Sequence, residues 1–412
     1  MSSGWQTKKL SDVCQIKPPK KEAKELLSES DLVSFVPMND LRIRHKAFNH
    51  KEEKPLGKVV GSYTYFAEND VLLAKITPCF ENGKLGIARG LKNGIGFGSS
   101  EYIVFRSKGE IDPEYLFYFL SQDSFRDAGS RVMTGAVGHK RVPKEFIEDH
   151  PIPLPSLDKQ KRIAAILDEA FAGIDTAIAN TEKNLANARE LFESYLNSVF
   201  TKQGDGWTEK TVGEMADCCL GKMLDKQKNR GLLRPYLRNL NVQWFNIDTS
   251  DVQEMKIEVK EEERYGVLKG DLLICEGGYP GRAAVWEYEG QMFFQKALHR
   301  VRFIEPLYNR WFLYFLYLSD ANGSLSQHFT GAGIQHFTGK ALKQFRFPVA
   351  PLSCVKSFLD KIDGIHIETQ RLEALYQQKL TVLNELKQSL LQKAFSGELT
   401  AEADNLKEEA VA

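Results

Sequence analysis

Two long stretches of the chain carry apolar residues at alternating spacings of three and four. In the first these are Ile163, Leu167, Phe171, Ile174, Ile178, Thr181, Leu185, Ala188, Phe192, Tyr195 and Val199. In the second they are Phe358, Ile362, Ile365, Thr369, Leu372, Tyr376, Leu383, Leu386 and Leu390, with Lys379 as the one polar interruption. This alternation is a heptad seam, which a helix buries against a partner helix. Helices of about 40 residues reach on the order of 60 Å at 1.5 Å per residue, more than one neighbouring domain covers. The seams therefore predict that the two helices pair with each other, leaving Asn180, Lys183, Asn184 and Asn187 on a polar face.

Ahead of each helix the pattern changes to short strand-like runs punctuated by glycine, asparagine and proline, and it does so twice. Gly4-Trp5, followed by Lys8, Leu10, Asp12 and Val13, matches Gly206-Trp207, followed by Lys210, Val212, Glu214 and Met215. Asp70-Val71-Leu72-Leu73-Ala74 matches Asp271-Leu272-Leu273-Ile274-Cys275, and the aromatic segment 115–120 matches 311–316. Met133-Thr134-Gly135-Ala136 returns as Phe329-Thr330-Gly331-Ala332. The proline-marked strands 151–155 and 348–351 close each domain, and 194–200 matches 389–395 at the far end of each helix. The predicted fold class is α+β. Two strand-rich mixed domains, 1–155 and 204–352, are each followed by a long helix, 156–203 and 353–399, ahead of an acidic tail, 400–412. Because each helix follows its domain, antiparallel pairing fits best. It would relate the domains by an approximate two-fold axis, the symmetry of B-DNA, whose paired readers are spaced in units of its roughly 34 Å turn.

Composition narrows the class. Hydrophobic residues make up 42% and charged residues 27%, the proportions of a globular chain. No run of about 18 apolar residues predicts a membrane span, and the start shows no secretory signal pattern. The six cysteines lack paired CxxC spacing, so reduced thiols in a cytoplasmic protein are expected rather than a zinc site. The 55 Lys and Arg are balanced by 55 Asp and Glu. That balance weighs against a dedicated nucleic-acid binder, although acidic helices can mask a basic face elsewhere.

The loop Thr134-Gly135-Ala136-Val137-Gly138-His139-Lys140-Arg141, with its counterpart Thr330-Gly331-Ala332-Gly333-Ile334-Gln335-His336, carries the chemistry of DNA recognition. Glycines let backbone N–H groups approach phosphates, lysine and arginine add charge, and arginine or glutamine bond base edges in pairs. The DNA-contact candidates are Thr134, Gly135, His139, Lys140 and Arg141 in one half, and Thr330, Gly331, Gln335 and His336 in the other. Lys75, Arg89, Arg131, Arg238, Arg282 and Lys296 are further candidates. Each alone is an ordinary solvated or paired cation. Recurrence of the loop at matching places favours function over a solvated turn.

Catalytic signatures are scarce. There is no GxxxxGK[ST] phosphate loop, HExxH pair or Asn-Pro-Pro-aromatic tetrapeptide. Gly94-Ile95-Gly96-Phe97-Gly98 lacks the strand-to-helix context of a dinucleotide site. Glu258-Val259-Lys260 has the Glu-x-Lys form of metal-dependent nucleases, but so short a triplet is expected by chance in a chain rich in both residues. A stand-alone nuclease using Glu258 and Lys260, and a coiled-coil scaffold binding proteins or sugars, remain as rival readings.

This layout resembles the specificity subunit of type I restriction–modification enzymes along nearly the whole chain. The resemblance rests on the repeated Gly-Trp, on Pro151-Ile152-Pro153-Leu154-Pro155 leading into Asp158-Lys159-Gln160-Lys161-Arg162-Ile163, and on the closing Leu390-Leu391-Gln392-Lys393-Ala394-Phe395-Ser396-Gly397-Glu398-Leu399. Cys354-Val355-Lys356 departs from it where the family tends to have Glu-Gln-Lys/Arg. The resemblance implies two target recognition domains that read the halves of a bipartite, asymmetric site in double-stranded DNA. It implies helices that act as spacer and docking surface for two methyltransferase subunits, and two restriction subunits where a nuclease is present. It places no cofactor in this chain: S-adenosylmethionine belongs to the modification subunit, and ATP and magnesium to the restriction subunit.

Overall fold

A computed structural model describes residues 5–48, 52–202, 204–225 and 227–400. Gly4 and, apart from the buried Thr400, the acidic tail lie outside them. The chain forms two compact units, Met1–Thr181 with Gln378–Ala412, and Glu182–Gln377. The long helices are Leu157–Thr201 and Leu352–Ser396, and residues of both helices belong to each unit.

The duplicated sequence anchors form duplicated topology. In unit 1 an antiparallel sheet runs in the order Cys14–Ile16, Tyr102–Ser107, Val71–Ala74, Leu85–Ile87. Unit 2 repeats it as Ala216–Leu220, Leu298–Phe303, Leu272–Cys275, Ala283–Val285. A second sheet in each unit contains one parallel pair, Leu32–Val36 with Ile95–Gly98 and Leu232–Leu237 with Met292–Phe294. All of the 94–98 glycine run but Gly94 is thus a strand, Ile95–Gly98, and Gly96 and Gly98 lie where any Cβ would strike Phe66 or Tyr102. The proline-marked segments pair with the chain's opening strand in unit 1 (Gln6–Lys9 with Pro151–Leu154) and with its counterpart in unit 2 (Thr208–Thr211 with Arg346–Val349).

Side-chain interactions are duplicated as closely. Asp70 and Asp271 are 1% and 2% exposed, and each accepts two hydrogen bonds from one guanidinium, that of Arg106 or Arg302. Each also accepts from a backbone N–H three residues earlier, at Ala67 or Leu268, closing the turn into the central strand. A buried carboxylate is tolerated only when its lone pairs are filled in this way. The aromatic segments are helical, Pro113–Leu120 and part of Leu307–Ala321. Tyr115 donates its hydroxyl to the Pro153 carbonyl, and Trp311 its indole N–H to that of Pro348. Tyr118 and Tyr314 each donate at 2.6 Å to an aspartate of a long helix, Asp168 and Asp363.

The first seam is buried or half-buried at every position from Ile163 to Val199. Pairing is antiparallel within each unit: Asp175 bonds Lys387 in unit 1, while Arg189 bonds Glu373 and Phe192 stacks near His366 in unit 2. Within each unit the aromatic helix shares a core with segments of both long helices, so the long helices pair with each other and also pack on the domain of that unit. The second seam needs one correction. Leu386 is 43% exposed, and the inward line runs through Tyr376, Leu380, Leu383, Lys387, Leu391 and Ala394. A straight helix with 3.6 residues per turn drifts from a 3.5-residue repeat, so a strict heptad reading goes out of phase. The drift turns Lys379 to solvent and lets Leu380 replace it.

The halves part company where the sequence departs from the family pattern. Gln160 is fully buried; its oxygen accepts from the Asp112 N–H, and its amide donates to the carbonyls of Glu110 and Pro155. Its counterpart Val355 is also fully buried, among apolar neighbours. The two are not interchangeable. Gln160→Val strands three backbone groups and Val355→Gln buries an amide in an apolar core, so each should cost at least about 2 kcal/mol. Thermal unfolding should show a midpoint lowered by roughly 4 °C or more in either variant; a neutral Gln160→Val would refute the bonding role.

Candidate nucleic-acid interface

The repeated loops are closed in the same way in both units. Thr134 and Arg141 exchange backbone hydrogen bonds of 3.0 and 2.8 Å, and Thr330 and His336 exchange bonds of 2.9 and 2.8 Å. Gly135 and Gly331 follow the first residue of each pair with φ of 130° and 115°, a backbone conformation open to glycine. A Cβ on Gly331 would also run into the Ile334 carbonyl. Both loops project their middle residues to solvent.

The central strand of each unit ends beneath its loop. The residue after the strand, Lys75 or Glu276, accepts through its carbonyl from Val142 N–H at 3.0 Å or Phe337 N–H at 2.8 Å. Its own N–H donates at 2.9 Å to the carbonyl of Glu101 or Ala297. Three equivalent stations result. Unit 1 fills them with Lys75, Glu101 and Arg141, and unit 2 with Glu276, Ala297 and His336.

In unit 1 Arg141 grips Glu101 through two bonds, of 2.9 and 2.7 Å, and holds that carboxyl below its usual range. Lys75 lines a cavity of about 430 Å³ with Lys17, Lys20, Arg141 and Lys144, walled by Tyr63, Tyr65 and Tyr102. Burial lowers the Lys75 ammonium from its ordinary lysine value; Glu101 opposes this, while Lys17 and Arg141 add to it. Burial likewise lowers Lys20, reinforced by Lys17 and Lys24. His139, Lys140 and Arg131 stand exposed on the loop and on the last turn of the helix leading to it. Arg89 does not join them; it pairs at 2.7 Å with Glu114, a carboxylate also bound by Lys46.

In unit 2 the structure gathers candidates that are far apart in sequence. Arg282 donates to the Asn239 carbonyl at 3.1 Å, and Asn239 donates to that of Gly277 at 3.1 Å. The His336 imidazole lies over Gly277, where a Cβ would be 3.0 Å from Nδ1. Arg238, next to Asn239, is held by Asp251 at 2.6 Å. Lys296, Thr330 and Gln335 are exposed, and Lys296 adjoins Ala297 of the three stations. Sequence reasoning missed Lys17, Lys20 and Lys144, Glu101 and Glu276, and Asn239. The run Lys17-Pro18-Pro19-Lys20-Lys21 was a visible basic signal, but its place beside the loop is set by pairing across the sheet.

The Glu-x-Lys triplet has a structural assignment. Glu258 caps the helix Val259–Tyr265 and binds Lys260 at 2.9 Å. Among the described residues no group of three or more His, Cys, Asp or Glu side chains is arranged to hold a metal.

Known proteins resemble this chain in sequence and in fold. Residues 2–187 match the type I restriction modification DNA specificity domain. The chain is 34% identical over 204 residues to the type I restriction enzyme EcoEI specificity subunit of Escherichia coli, a match covering 49% of this chain and 34% of that protein. It is 23% identical over 361 residues to the StySPI specificity subunit of Salmonella potsdam, covering 80% of this chain and 76% of that one. The chain is thus similar to type I restriction specificity subunits, and most closely so over its first half. The EcoEI match spans only about a third of that relative's length. The likeness in fold extends further. A chain from a structure of type I R-M complex assembly and conformational transition superposes with TM-score 0.78 at 19% identity, over 96% of this chain and 98% of that one. The HsdS subunit from Thermoanaerobacter tengcongensis superposes with TM-score 0.58, also at 19% identity, over 96% and 97%.

The role of the loop glycines is testable without DNA. Replacing Gly135 or Gly331 with alanine should impose strain of roughly 1–3 kcal/mol. Hydrogen exchange over 134–141 or 330–336 should accelerate roughly 5- to 150-fold, with the cores unchanged. Unaltered protection would show that the closed loop does not depend on these glycines.

Proposed function

We propose that this chain is the DNA-specificity subunit of a type I restriction–modification complex, with each unit reading one half of a bipartite, asymmetric site. The observation that carries this reading is the pair of loops closed by equivalent backbone bonds over equivalent stations that hold unlike side chains. A shared frame positions a reader and unlike side chains give it a different target, since backbone contacts set register and side chains select bases. The basic cavity of unit 1 offers charge for phosphates in a chain whose total charge is balanced.

The paired helices serve as spacer between half-sites and as the docking surface for two methyltransferase subunits, joined by two restriction subunits where nuclease activity is present. Chemistry resides in those partners: S-adenosylmethionine in the modification subunit, ATP and magnesium in the restriction subunit. No helix among the described residues is long and apolar enough to cross a membrane, in keeping with action on DNA in the cytoplasm.

Exchanging residues 1–155 for the corresponding domain of a relative with another target, within the assembled methyltransferase, tests this directly. Mapping methylated sites should show one half-site replaced and the other kept. Unchanged specificity, or both halves altered together, would defeat the two-reader model.

A further inference from the structure

The three stations beneath each loop differ in charge, and the difference bears on what each unit reads. Resting on the reading above, we infer that Lys75 and Glu276 are specificity-determining residues at equivalent positions. Lys75 reads a base edge that presents acceptors, guanine, and Glu276 reads a base that presents an exocyclic amino group, cytosine.

Position comes first. Both residues directly follow the central strand of their sheet, and both are clamped by the same two backbone bonds, one to the loop's far strand and one to the segment before the neighbouring strand. Their Cα atoms are therefore set by the frame, and their side chains emerge at the same place relative to loops 134–141 and 330–336. Side-chain chemistry comes second. In unit 1 Glu101 is already taken by Arg141, so among the described residues no carboxylate lies within ion-pair distance of the Lys75 ammonium. That ammonium instead lines the cavity with other cations and is partly desolvated. In unit 2 the station of Glu101 is occupied by Ala297 and that of Arg141 by His336, which leaves Glu276 without a cation within ion-pair distance among the described residues.

A half-buried charge without a partner is costly unless a ligand supplies one. A lysine suits the guanine O6 and N7 acceptors, and a glutamate accepts from the cytosine N4 amino group. Phosphate binding accounts for Lys75 alone. It does not account for a carboxylate at the matching place, which a phosphate would repel.

The test enriches random duplex DNA on the full chain assembled with its modification partner. Wild type, Lys75→Gln and Glu276→Gln are compared, each first checked for an unchanged unfolding midpoint. Glutamine pairs with the adenine N6 and N7 groups. Lys75→Gln should therefore lower the preference for guanine at one position of one half-site about tenfold or more and raise adenine there. Glu276→Gln should do the same to cytosine at one position of the other half-site. Each variant should leave the opposite half intact. If wild type enriches a two-part site and both variants enrich the same one, this inference fails while the function stands. Uniform weakening across all sequences for Lys75→Gln, with a salt slope smaller by about one, would make Lys75 a phosphate contact and also overturn it. If wild type enriches no two-part site, the functional reading falls and takes this one with it. Should Lys75→Gln not fold, the nearly isosteric Glu276→Gln decides alone.

Discussion

An apolar seam along a 45-residue helix must be covered over about 68 Å, and no single small domain is that long. Within each unit this constraint is met by a segment of a second, antiparallel helix of equal total length and by the aromatic helix of that unit's domain. The domains therefore do not hang from the helices by flexible joints. Tyr118 and Tyr314 each place a ring in the core of their own unit and a hydroxyl on an aspartate of a long helix, Asp168 or Asp363, so each domain is tied to helix segments of its unit by packing and by a directed bond. A domain fixed in this way holds its loop in one orientation, which the proposed recognition of a base edge would require.

Within each domain, conserved mechanics and variable chemistry are kept apart. The Asp70–Arg106 and Asp271–Arg302 pairs and the backbone bonds that clamp the loops are repeated almost bond for bond. The three stations above them are not. The frame is made of backbone bonds and buried side chains, and neither is sensitive to what the solvent-facing stations hold. Those stations can then differ in charge between the two units at little cost to either fold.

The balanced total charge says little about where DNA would be met. Lys17, Lys20 and Lys75 border one cavity of unit 1 together with Arg141 and Lys144, which Glu101 and Glu148 engage. Arg89 and Arg238, equally basic in sequence, are engaged by Glu114 and Asp251. Electrostatic footprint is a local property, set by which carboxylates the fold leaves beside each cation.

The duplication, the strand anchors, the helix seams and the loop pair were all legible in the amino-acid order, because periodicity and repetition are local or arithmetic properties of a chain. Even there, the last turns of the second seam shifted from Leu386 to Leu380, Lys387 and Leu391, since phase accumulates along a helix in a way that no heptad count records. The assembly of the candidate site was not legible. Lys17 and Arg141 line one cavity, and Asn239 joins Arg282 to Gly277, only because sheet pairing brings together segments tens of residues apart. Which cations are already bound is likewise decided by partners brought in from elsewhere in the chain. Sequence by itself determined that two similar domains are each followed by a long helix; tertiary structure decided which side chains each loop has to offer, because charge pairing and burial exist only once the strands have met.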